Sequence, residues 1–399
     1  MTCLWVAGIT WLPGKPAGFT LVGNAPSVRI QVEIQNNIVL VPIRINGSFE
    51  MNFILDTGVK TTILTEPLLS AFLNLDSLSR VKVRGLGEGD AIEAFLARNV
   101  SMSLPGVQGY GINMLVLPEG LISYSGMFGK PVYGIIGYEL FGQFVVEINY
   151  HQKYIRLHDP FQFRLRGNWD HIPIDVRRSK PYLRASLVDF RGDTIESEWL
   201  IDTGASMAIS LFDRDLPLPD PSIEAFLGQG LSGNVYGKLG RSKGFMLGSF
   251  SFEHVVTGYP DPESINYAPD DTAWYGNLGA EILSRFHLII DYNREVLHLR
   301  KSSGYKKPFE YNISGLELLS LGSAFDHFII SYVRPKSPAE QAGLQTNDIL
   351  LSINGIPAGD LKIDELYEQL NKQNGRMVHL RCMRGGEIKK ISFRMEPEI

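Results

Sequence analysis

The chain has 399 residues, of which 44% are hydrophobic and 20% charged, so it is long enough for two or three globular domains with cores of their own. Its formal net charge of −5, without any basic run, argues against nucleic acid as a partner. Cys3 and Cys382 stand at opposite ends of the chain, which excludes a disulfide framework, and the histidines lack metal-ligand spacing. We therefore expect no metal and no cofactor.

The chain begins with a short apolar stretch at residues 4–12, followed by Pro13-Gly14-Lys15-Pro16. Neither this stretch nor any later one reaches the roughly 18 apolar residues of a membrane span. The pattern is similar to the remnant of a secretion signal, although a mis-assigned start codon would produce the same pattern. We interpret residues 1–27 as an N-terminal segment and expect an extracytoplasmic protein, periplasmic or secreted.

Residues 28–160 contain the first set of strand patterns. Residues 28–34 alternate, 38–45 are β-branched, and Asn46-Gly47 predicts a hairpin turn into a strand over 49–55. Asp56-Thr57-Gly58 ends that apolar run, and a helix is predicted over 66–73.

Residues 161–303 repeat the arrangement. Strands are predicted at 172–174, 182–190 and 195–201, and the last of these ends in Asp202-Thr203-Gly204. Short helices are predicted after Gly137 in the first copy and Gly279 in the second. The polar residues 302–308 predict a linker after the second copy.

Two separate motifs support an internal repeat. The Asp-Thr-Gly copies recur from 56 to 202, and the apolar-Gly segments ending in Ile136-Gly137 and Leu278-Gly279 recur at nearly the same separation. Such spacing indicates a duplicated domain with a short insertion in one copy. It predicts a mainly β fold with two pseudo-symmetric lobes.

Residues 304–399 have a different character. Ser337-Pro338-Ala339, Ala342-Gly343-Leu344, Asp348-Ile349-Leu350 and Ile353-Asn354-Gly355 occur in this order. A helix is predicted over 363–371 and strands over 377–383 and 388–395. From about residue 315 to the end, the chain resembles a bacterial PDZ domain of α+β fold.

The doubled Asp-Thr-Gly half resembles the aspartic peptidases, closer to retropepsin-like bacterial members than to pepsin. The resemblance spans roughly residues 28–300 and implies two closed-barrel-like β lobes. It implies that Asp56 and Asp202 are catalytic and that the apolar-Gly segments cross beneath their loops. The residues implied to support those loops are Thr57, Gly58, Thr203 and Gly204.

The chemistry of this family requires two neighbouring carboxylates. Because Asp56 and Asp202 could not both ionise easily at a few Å, they would share one proton. The ionised member would take a proton from water, while the protonated member polarised the scissile carbonyl.

The sequence departs from pepsin-like members after each glycine. Val59 and Ala205 stand where a hydroxyl is often found, which leaves the pKa of the dyad less depressed and predicts a mildly acidic to near-neutral optimum. Lys60 has two interpretations. It is a solvated surface lysine or, if it faces the cleft, a residue that favours acidic substrate side chains, which Lys60→Ala would test.

Glycine-rich hairpins are expected to cover the substrate. Residues 84–90 are the candidate flap in the first copy and residues 228–233 in the second, and each is interpreted as a mobile hairpin or a plain surface turn. Tyr236 is interpreted as a flap tyrosine or a buried strand tyrosine. The second stretch fits the G-x-G-x-x-G nucleotide pattern only weakly, because no helix follows it. The glycines of these candidate flaps are Gly85, Gly87, Gly89, Gly230 and Gly233.

The PDZ-like segment predicts addition of an extended peptide as a strand. Its peptide-binding residues are predicted to be Gly315, Leu316, Glu317 and Leu318. Glu317 stands where a second glycine is expected, and an anionic side chain disfavours capture of a terminal carboxylate. Binding of internal peptide, or docking onto the protease lobes, stays open.

The resulting prediction is an aspartic-type endopeptidase with a PDZ-like domain that recruits substrate or regulates access. Its partner is a protein or peptide substrate, and a monomer suffices because one chain supplies both aspartates. The alternatives are a non-catalytic peptide-binding adaptor on a protease fold, and a peptidase whose cleft the PDZ-like domain blocks until a ligand binds.

Overall fold

A computed structural model describes residues 17–73, 75, 78–122, 124–212, 217–265, 275–371 and 375–399. The predicted signal-like stretch at 4–12 therefore lies outside the described residues. The described chain is mainly β, and none of its helices is long and apolar enough to cross a membrane.

The first lobe is built on a closed ring of six strands, in the order β4, β5, β10, β6, β9, β8 and back to β4. Its core lies inside the ring, where apolar residues of alternate positions point. The elements are β1 (Gly18–Leu21), β2 (Ser27–Gln31), β3 (Glu33–Gln35), β4 (Ile38–Ile45), β5 (Met51–Leu55), β6 (Thr62–Leu64), α1 (Leu69–Phe72), β7 (Ser79–Val83), β8 (Ile92–Leu104), β9 (Val107–Val116), α2 (Tyr124–Phe128), β10 (Gly134–Ile136), α3 (Tyr138–Phe141), β11 (Val145–Asn149) and β12 (Tyr154–His158).

The second lobe repeats this ring in the order β14, β15, β20, β16, β19, β18 and back to β14. Each strand of the first ring has a counterpart in the second, which confirms the predicted pseudo-symmetric lobes. The elements are β13 (Asp170–Arg177), β14 (Lys180–Val188), β15 (Thr194–Asp202), β16 (Ile209–Leu211), β17 (Ser222–Gly230), β18 (Gly233–Leu247), β19 (Phe250–Pro260), a 3-10 turn (Pro262–Ile265), β20 (Gly276–Gly279), α4 (Ala280–Leu283), β21 (Phe286–Asp291) and β22 (Val296–Lys301).

A shared sheet joins the two lobes, with the strand order β2, β12, β11, β21, β22, β13. Its central pair is antiparallel β11 and β21, in which Glu147 lies opposite Ile289. These two residues occupy equivalent places in the repeat. The pseudo-two-fold axis therefore passes through this pair.

The C-terminal domain is a small sheet with the order β23, β24, β25, β27, β28, flanked by one main helix. Strand β23 forms one edge of the sheet, and α6 lies beside it. The predicted helix over 363–371 is confirmed to the residue. The elements are β23 (Leu316–Leu321), β24 (His327–Val333), α5 (Pro338–Gln341), β25 (Ile349–Ile353), β26 (Ile356–Pro357), a 3-10 turn (Ala358–Asp360), α6 (Ile363–Asn371), β27 (Met377–Arg384) and β28 (Glu387–Arg394).

The predicted linker at 302–308 is irregular in structure but packs against the second lobe. The Tyr305 ring lies 5.6 Å from that of Phe286, and Phe309 is buried in the main core. The Arg285 guanidinium donates to the carbonyls of Tyr305 and Pro308, each at 3.3 Å. Residues 305–309, which lead to the PDZ domain, are therefore packed against the second lobe.

Candidate active site

Two equivalent strands deliver the aspartates to the axis between the lobes. Asp56 follows β5 directly, and Asp202 is the last residue of β15. Beneath each strand runs a parallel partner, β10 under the first and β20 under the second. The Asp56 N–H donates to the Ile136 carbonyl at 2.9 Å, so the apolar-Gly segment fixes the start of the catalytic loop.

Gly137, directly after β10, and Gly279, the last residue of β20, lie directly beneath the loops that carry the two aspartates. A Cβ added at Gly137 would lie 2.1 Å from the Asp56 carbonyl oxygen, and one at Gly279 would lie 2.1 Å from that of Met207. Any other residue would push the loop away, because real Cβ contacts do not come this close. The structure thus gives a steric reason for the paired glycines.

Thr57 and Thr203 lock the two loops together across the axis. The Thr57 Oγ1 donates to the Ile201 carbonyl at 2.6 Å and accepts from the Thr203 N–H at 3.1 Å. The Thr203 Oγ1 donates to the Leu55 carbonyl at 2.8 Å and accepts from the Thr57 N–H at 3.0 Å. Both threonines are buried, so these reciprocal bonds satisfy groups that water does not reach.

The carboxylates lie close together across the same axis. Each accepts the N–H two residues on, Asp56 from Gly58 at 2.6 Å and Asp202 from Gly204 at 3.0 Å. A Cβ at Gly204 would lie 2.4 Å from the Asp56 carboxyl carbon. The second loop therefore touches the first aspartate, and the structure brings together the residues that the sequence predicts to be catalytic.

The hydrogen-bond donors around the two aspartates are unequal. Asp202 also accepts the Ala205 N–H at 3.1 Å and the Asn277 side-chain amide at 2.6 Å. Asn277 is buried on β20, and the equivalent residue on β10 is the apolar Ile135. The sequence prediction missed Asn277. The available signal was a polar residue inside an otherwise apolar strand.

Burial raises the pKa of both aspartates. Desolvation and the Asp202 charge raise the pKa of Asp56, against one backbone donor from Gly58. Desolvation also raises the pKa of Asp202, but the Gly204 and Ala205 N–H groups oppose it. The positive charge of Lys180 lowers the pKa of both aspartates.

Lys180 is a second residue that the sequence prediction missed. It begins β14, which pairs with β15 through Tyr182 opposite Leu200, and that register continued by two residues brings Lys180 level with Asp202. The same continuation in the first lobe brings Ile38 level with Asp56. The equivalent strand positions thus hold a cation in the second lobe and an apolar residue in the first. Lys60, by contrast, is exposed.

The two candidate flaps meet each other. The loop between β7 and β8 donates from Gly87 to the Ser264 carbonyl at 2.9 Å and from Gly89 to the Ser232 carbonyl at 2.8 Å. The Ser232 N–H donates back to the Leu86 carbonyl at 2.8 Å, and the Gly85 N–H donates to the Ser232 hydroxyl at 3.1 Å. Gly230 and Gly233 flank the tip of the β17–β18 hairpin, with no helix after it.

At the β23 edge of the PDZ domain, three backbone N–H groups donate hydrogen bonds to side chains of the domain itself. The N–H groups of Gly315 and Leu316 donate to Asn312 Oδ1 and Ser314 Oγ, each at 3.2 Å. The Leu318 N–H donates to the Tyr367 hydroxyl at 2.9 Å.

Glu317 is held within the same network. Its carboxylate accepts the Tyr367 hydroxyl at 2.9 Å, and burial raises its pKa. A peptide terminus that entered this loop would have to displace these groups.

Among the residues that the structure describes, no group of three or more His, Cys, Asp or Glu side chains is arranged to hold a metal ion.

Comparison with known proteins agrees with this geometry. Residues 41–140 match the aspartyl protease family, and residues 329–384 match the PDZ domain family. The carboxy-terminal processing protease CtpB of Bacillus subtilis (strain 168) is 36% identical over 61 residues. That match covers 15% of this chain and only 13% of the length of CtpB. The chain therefore carries an aspartyl protease domain in its first lobe and a PDZ domain at its C-terminus, as the sequence resemblance predicts.

Proposed function

We propose that the protein is an aspartic-type endopeptidase that hydrolyses peptide bonds with water activated by Asp56 and Asp202. The observation that supports this proposal is that two equivalent carboxylates lie close together, in loops joined by the reciprocal hydrogen bonds of Thr57 and Thr203. The PDZ domain makes a protein or peptide the natural substrate, and its role is to recruit that substrate or to regulate access. One chain supplies both aspartates, so a monomer suffices.

From the unequal hydrogen-bond donors we infer a different protonation state for each aspartate before substrate binds. Asp202, with side-chain and backbone donors on both carboxylate oxygens, is the ionised member and takes the proton from the attacking water. Asp56, with a single backbone donor, keeps the shared proton and donates a hydrogen bond to the scissile carbonyl. After attack, Asp202 passes its new proton to the leaving amine, which restores the starting state.

The raised pKa values set the working pH. Activity needs one proton in the dyad, so it is lost at low pH when Asp202 becomes protonated and at high pH when Asp56 ionises. Because burial raises both pKa values, we expect an optimum in the mildly acidic to near-neutral range.

The direct test is cleavage of a peptide library by the full-length protein, read by mass spectrometry. We expect Asp56→Asn and Asp202→Asn each to reduce kcat by at least about 10³-fold, since neither amide can take part in the proton transfers. Asp175→Asn, at an aspartate in a surface ion pair with Arg177, is the matched control and should leave cleavage unchanged. Equal cleavage by wild type and both dyad variants would refute the proposal, and peptide binding without cleavage by wild type would favour an adaptor.

A further inference from the structure

The groove between β23 and α6 of the PDZ domain is occupied by part of the first lobe. The Ser320 hydroxyl on β23 donates to the Gly126 carbonyl at 2.7 Å. A Cβ added at Gly129 would lie 2.8 Å from Ile363 Cγ2 on α6 and 3.2 Å from the Ser320 hydroxyl. The segment Tyr124–Gly129 therefore touches both walls of the groove, and no wider residue fits at its last position.

Two hydrogen bonds from the Gln35 side chain support this arrangement. Gln35, on β3 of the first lobe, is buried, and its amide donates both to the Phe128 carbonyl at 2.9 Å and to the Asp364 carboxylate on α6. The Gln35 side chain thus links the segment Tyr124–Gly129 to helix α6. Buried bonds of this kind are costly to leave unmade, so the contact is specific.

The same segment reaches the catalytic cleft at its other end. Tyr124 is buried in an apolar cluster that includes Val59, next to the first Asp-Thr-Gly, and Leu231, at the tip of the second flap. Burial raises the pKa of Tyr124, and so does the negative charge of Asp56. The segment therefore lies between the PDZ groove and the dyad.

The PDZ domain also contacts the second flap hairpin. The ring of Tyr332 on β24 lies 5.7 Å from that of Tyr236 and 6.3 Å from that of Phe226, which belong to the two strands of that hairpin. Gln229 on the same hairpin donates to the Leu121 carbonyl at 3.4 Å, just before the docked segment. The PDZ domain thus contacts both the segment Tyr124–Gly129 and the second flap hairpin.

We propose that the PDZ groove is an internal docking site whose ligand is the first-lobe segment Tyr124–Gly129, and that this docking holds the cleft closed. The second half of the proposal rests on the proposed peptidase function. An external peptide that adds to β23 must displace the segment, and its binding then releases the loop beside Asp56 and the hairpin under Tyr332.

The test replaces Ser320 by a side chain too large for the interface. Ser320→Arg separates β23 from Gly126, while Leu321→Arg puts the same side chain on the neighbouring exposed residue of the strand and is the matched control. Asp364→Ala, which removes the acceptor of Gln35 from the first turn of α6, is a milder second variant should Ser320→Arg fail to fold.

Two readouts separate this proposal from the peptidase function. Hydrogen exchange at residues 84–91 and 228–234, measured in the Asp56→Asn background, needs no catalysis. We expect exchange there to be about 5-fold faster in Ser320→Arg, and kcat/KM on a fluorogenic peptide to be about 5-fold higher with Asp56 intact. Leu321→Arg should match wild type in both readouts.

Each outcome is decisive. Unchanged exchange in folded Ser320→Arg and Asp364→Ala overturns the docking. Faster exchange with unchanged or reduced kcat/KM overturns the claim that docking closes the cleft. Faster exchange with no cleavage by any variant, wild type included, supports the docking and refutes the peptidase function.

Discussion

Asp56 and Asp202 are each followed by threonine and glycine, but they have different hydrogen-bond partners in space. Asn277 donates to Asp202 from β20, whereas Ile135 occupies the equivalent place beneath Asp56. A donor to one carboxylate alone favours its ionised form, so the dyad is electrically asymmetric before any substrate binds.

Asn277→Ile, which copies the first-lobe residue, removes that donor. The pKa of Asp202 should rise, because a hydrogen bond to a charged group contributes about 1.5–3 kcal/mol and one pH unit corresponds to about 1.4 kcal/mol. We expect the acidic limb of the kcat/KM profile to move up by roughly 1–2 pH units.

Ile135→Val is the control for this change, since it keeps an apolar residue beneath Asp56 and should leave the profile in place. A wild-type optimum below about pH 3 would contradict the raised pKa values. An acidic limb that Asn277→Ile does not move would contradict the role of Asn277.

The recurring motif predicted that Asp56 and Asp202 would be paired, but the sequence analysis missed the contacts of Asn277 and Lys180. Doubling of Asp-Thr-Gly is visible along the chain. The contacts of Asn277 and Lys180 depend instead on which strands pair and in what register, and local spacing does not encode this.

At the scale of elements, β10 and β20 support the catalytic loops from below. We expect Gly137→Ala to destabilise the protein by about 3 kcal/mol or more, since its Cβ would meet two backbone carbonyls, those of Asp56 and Val59, at 2.1 and 2.4 Å. Gly304→Ala, where the nearest atom would be 3.6 Å away, should change stability by less than about 0.5 kcal/mol. Denaturant unfolding measures both, and equal stability of the two variants would contradict this role of β10.

Elements with a clear local sequence pattern were predicted well, whereas elements whose extent depends on tertiary contacts were not. Strand β4 was predicted to the residue from its β-branched run, and helix α6 was predicted to the residue from its apolar periodicity. The helix predicted over 66–73 is only Leu69–Phe72, and none of its side chains is buried, so no core contact extends it. The linker at 302–308 was predicted from its polarity, but its packing on Phe286 depends on a surface that only the folded lobe provides.

At the scale of the whole molecule, a buried acidic residue joins the lobes. Glu147 on β11 accepts from His158, on β12, and bonds His287, on β21, each at 2.9 Å, and it accepts from the Tyr154 hydroxyl at 2.8 Å. Desolvation alone would raise its pKa, but the bonds to His158, His287 and Tyr154 together hold it well below the ordinary value.

This cluster predicts a pH-dependent contribution to stability. Because the folded protein lowers the pKa of Glu147 from 4.5, the carboxylate stabilises the fold above that pH, and the contribution is lost as pH falls below it. Glu147→Gln should cost about 1–3 kcal/mol at pH 7.

Unfolding free energies of wild type and Glu147→Gln at pH 7 and at pH 3 check this prediction. The difference between the two proteins should shrink at the lower pH. A difference that stays constant, or grows, would show that the charge of Glu147 does not stabilise the joint between the lobes.

The position of the PDZ domain could not be predicted, although docking onto the lobes was one open alternative. Its motifs identify the domain from its own turns and strands. Its contacts with Gly126 and Tyr236 arise between distant parts of the chain, where no periodicity or turn signal applies.

The pairing of Glu147 with Ile289 on the axis has a further consequence. A residue on a two-fold axis meets its own counterpart, so two copies of the first lobe would place two buried glutamates opposite each other, which is unfavourable. The second lobe carries isoleucine there. The halves of this protein are thus no longer interchangeable, and the chain is committed to acting as one unequal pair.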